Sequence, residues 1–253
     1  MIFFKNLKKQ KNIVHGILER KEGSVNPFSN PKSGENILNA LRKLGFKDYQ
    51  VDNLIFADQV HGINVYFCPP DRGGYIKLQT DGLISQTPGQ ILVIKTADCI
   101  PLLIYGSKKG RVGAIHAGRE SLMKGIIEEA IKIFSSPSSL IIGIGPHIRK
   151  CCYSLNEKKE ASLNSVFQEP WGKYLQKRND KFYFDLTQIA KDKLLKLGVK
   201  KENIEDSGIC TFCQGEKFYS ARKLAEKKAK KQNLSAQEKF PCFGSFIGLL
   251  PKR

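Results

Sequence analysis

The chain has 253 residues and carries 42 Lys and Arg against 24 Asp and Glu, a formal charge of +18. Hydrophobic residues make up 41% of it, which is typical of globular proteins and excludes a collagen-like or largely disordered chain. No apolar run approaches the roughly 20 residues that a membrane-spanning helix needs, and the charged N-terminus does not resemble a signal peptide. These features predict a soluble, cytoplasmic protein with no membrane partner.

The positive charge comes mostly from scattered lysines. Within one of the two densest stretches, residues 214–240, the segment 221–232 is typical of a solvated helix face or a surface insertion. A nucleic-acid partner is not predicted, because neither a groove-binding motif nor a set of stacking aromatics accompanies the charge. Attraction of an anionic, phosphate-bearing ligand stays open.

Hydrophobic periodicity defines the predicted elements. The helical spacing predicts helices over 36–44 and 121–134, and a third after Asp185, which is placed to cap its N-terminus. Short β-rich runs between Gly, Pro and Asp predict strands. These runs cover 53–57, 62–67, 90–95, 100–105, 112–115, 140–144 and 243–250. Strands interspersed with helices predict an α+β fold in a single domain over residues 1–253.

Three of the predicted strands end close to a residue that can bind a metal, namely His61, Cys99 and His116. Strand ends hold functional side chains on rigid supports. Two imidazoles and one thiolate suit Zn²⁺ and leave the fourth position open to water or substrate. Because the spacing matches no compact zinc motif, hydrogen-bonded histidines and a packed cysteine remain the alternative.

Charged residues flank these strand ends. Asp98 precedes Cys99 and is a candidate for proton transfer, although it is equally suited to capping a turn. Arg119, beside the predicted helix start, and Arg222, after an aromatic run, are candidates for binding an anion, with ordinary surface positions as the alternative.

Seven cysteines are an odd number, and no secretory signal accompanies them, so a disulfide framework is not predicted. Cys210 and Cys213 have the spacing of a metal or redox hairpin, but a structural zinc needs two more ligands. Cys151 and Cys152 are adjacent rather than two residues apart, which disfavours them as that second pair. The sequence therefore predicts that Cys210 and Cys213 pack beneath the site.

Seven groups of short segments follow one another in a characteristic order over residues 54–223. They are Gln59-Val-His-Gly-Ile-Asn-Val, Thr80-Asp-Gly-Leu-Ile, Thr96-Ala-Asp-Cys-Ile-Pro-Leu-Leu, Ala114-Ile-His-Ala-Gly, Ile144-Gly-Pro-His-Ile with Cys151-Cys-Tyr, Asp185-Leu, and Cys210-Thr-Phe-Cys with Phe218-Tyr-Ser. In this order they resemble the YfiH/YlmD-like family. Its members were once called multicopper polyphenol oxidases or laccase-domain proteins and are now regarded as purine nucleoside phosphorylases.

The resemblance implies a four-layer α/β/β/α sandwich with mixed sheets and a Zn²⁺ held by His61, Cys99 and His116. Cu²⁺ is the alternative metal, although four histidines in the whole chain cannot supply a multicopper cluster. The implied reaction is phosphorolysis of adenosine, inosine, guanosine or methylthioadenosine to the base and ribose 1-phosphate. Adenosine deamination is implied as a second activity.

The resemblance also assigns expected roles. Asp98, Cys99 and His116 are the expected catalytic residues. Gln59 is expected to bind the substrate, and Arg119 and Arg222 are expected to bind phosphate. The expected partners are small-molecule purine nucleosides and phosphate, and the expected assembly is a monomer or a homodimer.

The chain departs from the family pattern at several positions. Arg119-Glu120-Ser121 stands where Trp-Arg-Gly is usual, and Tyr153-Ser154 where Tyr-Glu is usual. Ser220-Ala-Arg-Lys replaces Ser-Tyr-Arg-Arg, and a Lys-rich stretch, 223–239, occupies the place of a Gly-Arg pair. These changes leave the three metal ligands intact and fall on the expected phosphate and substrate contacts.

Two other functions remain open at this point. Cys99 activated by His116 would make a metal-free nucleophile for a hydrolase. A catalytically impaired homologue that binds nucleic acid or acts as a scaffold would explain both the departures and the charge.

Overall fold

The computed structural model describes residues 1–71, 73–155, 171–229 and 241–251. Its strands are β1 (Ile13–Ile17), β2 (Leu54–Ala57), β3 (Val65–Phe67), β4 (Tyr75–Lys77), β5 (Gly82–Ser85), β6 (Ile91–Thr96), β7 (Ile100–Gly106), β8 (Arg111–Ala117), β9 (Leu140–Ile144), β10 (Ser154–Leu155), β11 (Leu175–Arg178), β12 (Lys181–Phe184), β13 (Ile204–Asp206) and β14 (Phe243–Leu249). Its helices are α1 (Lys5–Lys8), α2 (Ser33–Lys43), α3 (Arg119–Lys124), α4 (Ile126–Ile133), α5 (Leu186–Lys196) and α6 (Ala221–Ala229). Short 3₁₀ turns cover Arg20–Glu22, Val51–Asn53, Ser107–Lys109, Pro137–Ser139, Trp171–Tyr174 and Lys201–Asn203.

The strands form two large sheets and one small one. The five-stranded sheet has the order β1-β14-β6-β2-β4, and the six-stranded sheet has the order β13-β9-β7-β8-β5-β3. Both are mixed: β2 runs parallel to β6 and β4, and β13 runs parallel to β9, while β14 and β7 pair with antiparallel neighbours on both sides. The small sheet, β10-β12-β11, is antiparallel.

The two large sheets pack face to face between two layers of helices. In β7, Leu103 and Tyr105 point into the core between the sheets, whereas Leu102 and Ile104 point towards α3, α4 and α5. This alternation is the period of two that a strand buried on both faces must show. On the other side, α2 packs its apolar stripe against the five-stranded sheet. The four-layer α/β/β/α sandwich that the resemblance implied is therefore confirmed.

The predicted helix over 121–134 is wrong in its extent. The chain is already helical at Arg119, and Gly125 divides the segment into α3 and α4 with a φ of +107°. Glycine adopts this left-handed conformation without the penalty of a Cβ atom. The apolar periodicity continues across the break, because Leu122 and Ile126 both face the core, and so the spacing alone could not reveal it.

The other predicted elements are close to those observed. Helix α2 begins at Ser33, three residues before the prediction, and Asp185 caps α5 by accepting a hydrogen bond of 3.0 Å from the backbone N–H of Gln188. The predicted strand over 62–67 is confirmed only from Val65 onward. Helix α6 covers the start of the Lys-rich stretch, and residues 230–240 lie outside the described residues. None of the helices in the described ranges is long and apolar enough to cross a bilayer.

Three strand ends meet at one end of the sandwich. Strands β2 and β6 are parallel neighbours in the five-stranded sheet, so their carboxyl ends lie at the same edge. Strand β8 of the six-stranded sheet ends at Ala117, next to the first residues of β7. The loops that follow β2, β6 and β8 therefore come together where the two sheets face each other.

Candidate metal centre at the strand ends

Three predicted metal ligands meet at these strand ends. The ligand atoms of His61, Cys99 and His116 all lie within 4.8 Å of one another. The sulfur of Cys99 is 3.6 Å from Nε2 of His61, and the two imidazole rings are perpendicular, with their centroids 4.8 Å apart. We call this group the histidine–cysteine site.

One buried carboxylate holds two of these ligands. Oδ1 of Asp81 accepts a hydrogen bond of 2.7 Å from Nδ1 of His116. The same carboxylate accepts backbone hydrogen bonds from Val60, His61 and Gly62 at 3.2, 2.9 and 2.8 Å, which fix the loop that carries His61. His61 adopts a positive φ of 59° in this loop. Asp81 therefore sets the position of both imidazoles from behind.

The protonation states follow from these contacts. Burial acts to raise the pKa of Asp81, but the hydrogen bonds from His116 and the backbone lower it, so the carboxylate is ionised and only accepts. Burial lowers the pKa of His116, which is therefore neutral near pH 7 and donates its Nδ1–H to Asp81. Its Nε2 lone pair is left for the site, the arrangement typical of metal-binding histidines.

Cys99 and Gly118 complete the close packing of the site. Burial raises the pKa of the Cys99 thiol to about 12, so a bound cation is what would ionise it. A Cβ atom on Gly118 would lie 2.8 Å from Cδ2 of His61 and 3.1 Å from the sulfur of Cys99. The donor set of two imidazoles and one thiol fits Zn²⁺, and the backbone of Gly118 can approach it only because glycine has no side chain.

The other two histidines have structural roles. Nε2 of His15 accepts a hydrogen bond of 3.0 Å from the backbone N–H of Phe4. Both ring nitrogens of His147 are engaged, at 2.8 Å from the carbonyl oxygen of Gly145 and at 2.7 Å from Oγ1 of Thr187. Two imidazoles therefore remain for the histidine–cysteine site.

Two arginines and a tyrosine lie beside the three ligands. The positive charge of Arg119 acts to lower the pKa of Cys99. The Arg119 guanidinium contacts the hydroxyl of Tyr153. The Nε–H of Arg119 is buried and has no hydrogen-bond partner among the described residues. The Arg222 guanidinium lies 5.5 Å from the ring centroid of Tyr153 and donates to the hydroxyl and the carbonyl oxygen of Ser154, both at 3.1 Å.

The departure at Glu120 does not place a carboxylate in this group. The Glu120 side chain is about half exposed, 51%, and faces Lys124 and Arg119 at 3.9 and 3.6 Å. The Arg119 side chain is only 19% exposed. Arg119, which is shifted by one place relative to the family pattern, thus points its side chain inward.

Asp98 and Gln59 lie next to the site with their polar atoms already engaged. Asp98 accepts hydrogen bonds from Thr211 Oγ1 at 2.6 Å, from Ser220 Oγ at 3.0 Å and from the backbone N–H of Arg222 at 2.7 Å. Gln59 donates to the carbonyl oxygen of Lys95 at 2.6 Å and accepts from its N–H at 3.1 Å. The catalytic role of Asp98 and the substrate contact of Gln59 stay predictions, and these contacts favour positioning roles.

Sequence reasoning missed Asp81 as a site residue. The segment Thr80-Asp-Gly was one of those that carried the resemblance, but nothing in its spacing connects it to His61 or His116. Its backbone supplies the link, since Asp81 N–H donates to Asn64 and its carbonyl oxygen accepts from His116, at 3.0 and 2.7 Å. Tyr153 was missed in the same way, because its neighbours Arg119 and Arg222 come from distant segments.

Comparison with known proteins identifies the family. Residues 30–232 match the family model described as multi-copper polyphenol oxidoreductase laccase. This chain belongs to that family. The purine nucleoside phosphorylase of Haemophilus influenzae is 31% identical over 181 residues, which cover 67% of this chain and 68% of that protein. The purine nucleoside phosphorylase of Bacteroides thetaiotaomicron is 26% identical over 249 residues and covers 90% of this chain and 92% of its own.

Solved structures of the laccase-like family share the fold. The crystal structure of YlmD from Geobacillus stearothermophilus has a TM-score of 0.79 at 22% identity, covering 95% of this chain and 93% of that one. The Bacillus licheniformis hypothetical protein YfiH has a TM-score of 0.78 at 22% identity, covering 94% and 92%. Although the family description names several coppers, the histidine–cysteine site of this member offers three ligands.

Proposed function

We propose that this protein is a zinc-dependent purine nucleoside phosphorylase whose metal ligands are His61, Cys99 and His116. The observation that carries the proposal is their convergence within 4.8 Å, with Asp81 orienting His116 from behind. The names of the relatives support the reaction class. Bound Zn²⁺ would polarise a substrate oxygen or lower the pKa of a water at its fourth position.

Phosphorolysis needs a site for an anion beside the sugar. Phosphate attacks the anomeric carbon, the C–N glycosidic bond breaks, and its electron pair leaves with the base, giving ribose 1-phosphate. Positive charge that develops on the sugar is offset by the attacking phosphate, which the protein must hold in place. The buried Nε–H of Arg119 supplies an unused donor for it, and the Arg222 cation lies 5.5 Å from the ring centroid of Tyr153.

The substrates we propose are adenosine, inosine, guanosine and methylthioadenosine. Adenosine deamination, which consumes one water and releases ammonia from purine C6, is the second activity. The three-ligand donor set favours it, because such a set leaves one coordination position open. Asp98 would serve this step by holding the 211–222 segment against the site through its three hydrogen bonds.

The test is to incubate the purified protein with adenosine, inosine or methylthioadenosine, with and without phosphate, and to separate the products. We expect base and a sugar phosphate only when phosphate is present, and inosine from adenosine in either case. Chelated protein should lose both activities and regain them with Zn²⁺. Cys99→Ala should also lose both activities, and Cys68→Ala is its matched control, because this buried cysteine lies in the core between the sheets.

Two results would contradict the proposal. Activity that survives complete chelation and disappears on thiol alkylation would assign Cys99 as a nucleophile instead. Salt-dependent binding of RNA or DNA without turnover of any purine nucleoside would assign the chain as an impaired, nucleic-acid-binding homologue.

A further inference from the structure

A second group of sulfur atoms lies outside the histidine–cysteine site. Cys151, Cys152, Cys210 and Cys213 place their four sulfurs within 4.8 Å of one another. The sulfur of Cys213 is 3.3 Å from that of Cys152 and 3.8 Å from that of Cys151. The expectation that Cys210 and Cys213 pack beneath the site is confirmed for Cys210, which is buried in the core, and is wrong for Cys213, which is exposed. We call this group the four-cysteine cluster.

The spacing of the sulfurs matches a tetrahedral metal site. Zn²⁺ binds thiolates at about 2.3 Å, which puts the sulfurs of a regular tetrahedron about 3.8 Å apart. The separation of 3.8 Å between Cys151 and Cys213 equals that value, the separation of 3.3 Å between Cys152 and Cys213 is close to it, and all four sulfurs lie within 4.8 Å of one another. All four cysteines are free thiols, and the separations of 3.8 and 3.3 Å exceed the roughly 2.05 Å of a disulfide bond, whereas one ion at the centre accounts for all four sulfurs. We propose that the four-cysteine cluster binds a structural Zn²⁺ through four thiolates.

The backbone around Cys210 is shaped for a thiolate. The turn Cys210-Thr-Phe-Cys213 closes with a hydrogen bond of 3.0 Å from the backbone N–H of Gln214 to the carbonyl oxygen of Cys210. The backbone N–H groups of Cys213 and Arg149 face the Cys210 sulfur. Hydrogen bonds to sulfur favour its charged form, which is the form that binds a metal.

Exposure separates these cysteines from ordinary packed ones. Cys151 and Cys213 are exposed and Cys152 is half-buried, whereas a cysteine that only fills space is normally buried, as Cys68 is. Two exposed thiols that face two more protected ones form a site open to an entering cation. Each thiol that becomes a ligand releases one proton, so binding tightens as the pH rises.

The cluster joins two segments that also line the histidine–cysteine site. Its first pair precedes Tyr153 and Ser154, which contact Arg222, and its second pair encloses Thr211, which donates to Asp98. With all four positions filled by protein, the ion would have no place for a substrate, as in structural zinc sites. It would instead fix the two segments relative to each other.

The experiment isolates the cluster by removing the other site. Cys99→Ala protein, purified under reducing conditions and exposed to Zn²⁺, is expected to bind one Zn²⁺ per chain. Co²⁺ in its place should give visible d–d bands of a tetrahedral ion and the charge-transfer absorption of four thiolates. Cys99→Ala/Cys213→Ser should bind none, whereas the matched control Cys99→Ala/Cys68→Ser should still bind one.

A second measurement uses wild-type protein, so its result does not depend on whether a variant folds. A mercurial thiol reagent added to folded wild-type protein should release the zinc of the cluster in step with modification of its thiols. Cys99→Ala protein that takes up no Zn²⁺ would overturn the proposal. So would a spectrum with fewer than four thiolates, or a disulfide among these cysteines in protein kept anaerobic and free of added thiols.

Discussion

The histidine–cysteine site and the four-cysteine cluster are both proposed to bind Zn²⁺ but are built differently. The first takes its ligands from the ends of strands and from a loop held by Asp81, and it offers three of them. The second takes four ligands from two adjacent cysteines and one turn, outside the strands. Zinc sites with three protein ligands are typical of catalysis, and closed sites with four are typical of structure.

In the functions we propose, the histidine–cysteine site reacts and the four-cysteine cluster holds chain segments together, within one fold. A site that reacts needs an open position and ligands that do not shift, which the strand ends and the buried carboxylate provide. A site that only joins segments needs complete coordination and little else. We therefore expect changes to the histidine–cysteine site to affect reactivity, and changes to the four-cysteine cluster to affect how the two segments are held together.

The largest effect is expected from Cys99→Ala. It removes one of three ligands, so we expect phosphorolysis to fall by about 10³-fold or more, as loss of several kcal/mol of metal assistance implies. The zinc content should drop by one ion per chain, leaving the ion of the four-cysteine cluster. Rates of base release and metal analysis on the same sample measure both. Unchanged metal content together with unchanged activity would contradict the assignment.

Asp81→Asn tests the support behind the ligands. An amide cannot stabilise the His116 Nδ1–H as a carboxylate does, and we expect about 10–100-fold weaker metal binding or activity at the histidine–cysteine site. Competition with a chelator of known affinity measures this loss. Asp192→Asn, which neutralises a carboxylate that faces Lys173 at 3.4 Å, is the matched control and should leave metal affinity unchanged. Equal affinities for both variants would show that Asp81 has no role at the metal.

Gly118→Ala tests the close approach of the backbone. Gly118 has φ −74° and ψ 170°, which alanine tolerates, so the added Cβ acts by crowding His61 and Cys99. Overpacking of this kind costs about 1–3 kcal/mol, and we expect metal affinity to fall roughly tenfold. Gly172→Ala is the control, since its Cβ position has no atom within 4 Å among the described residues, its two chain neighbours aside. A Gly118→Ala protein that binds zinc like wild type would show that the ligands can move aside.

His15, which lies outside both clusters, contributes to the loss of stability at acid pH. Burial lowers its pKa from 6.5 to about 4, so the unfolded chain takes up a proton first as the pH falls. The stability that neutral His15 contributes is complete above about pH 6.5 and is lost as the pH falls towards 4, up to about 3 kcal/mol.

We therefore expect His15→Gln, which keeps an acceptor for the Phe4 N–H, to lose less stability than wild type over that range. Denaturant unfolding of both proteins at several pH values measures the difference. Parallel pH dependences for the two proteins would mean that His15 titrates normally in the folded state.

Local signals predicted the elements that carry the ligands. The apolar runs before His61, Cys99 and His116 defined strands, and strand ends expose side chains by simple geometry. The N-cap at Asp185 could be predicted as well, because its side chain accepts a hydrogen bond from the backbone N–H of Gln188, only three residues further along the chain. What the sequence could not show was the break at Gly125, since the core-facing pattern continues through it.

Contacts between distant segments could not be predicted in the same way. The two cysteine pairs are brought together by the bridge between His147 and Cys210 and by the parallel pairing of β13 with β9. Adjacent cysteines match no sequence motif for zinc, although their side chains can reach one point when the chain turns sharply. The backbone N–H groups of Cys152 and Tyr153, which both bond to the carbonyl oxygen of Arg149 at 2.9 Å, make that turn.

Asp98 and Cys99 are consecutive residues: Cys99 belongs to the histidine–cysteine site, and Asp98 accepts a hydrogen bond from Thr211, which lies between two cysteines of the four-cysteine cluster. Asp98 adopts a φ of +86°, and its carbonyl oxygen accepts from Ile148 at 2.9 Å while its carboxylate holds the segment that begins with Thr211. A single peptide unit thus connects the two places where an ion can be held. If occupancy of one changes the affinity of the other, thermodynamic reciprocity fixes the size of the effect, because the second ion must change the affinity for the first by the same factor.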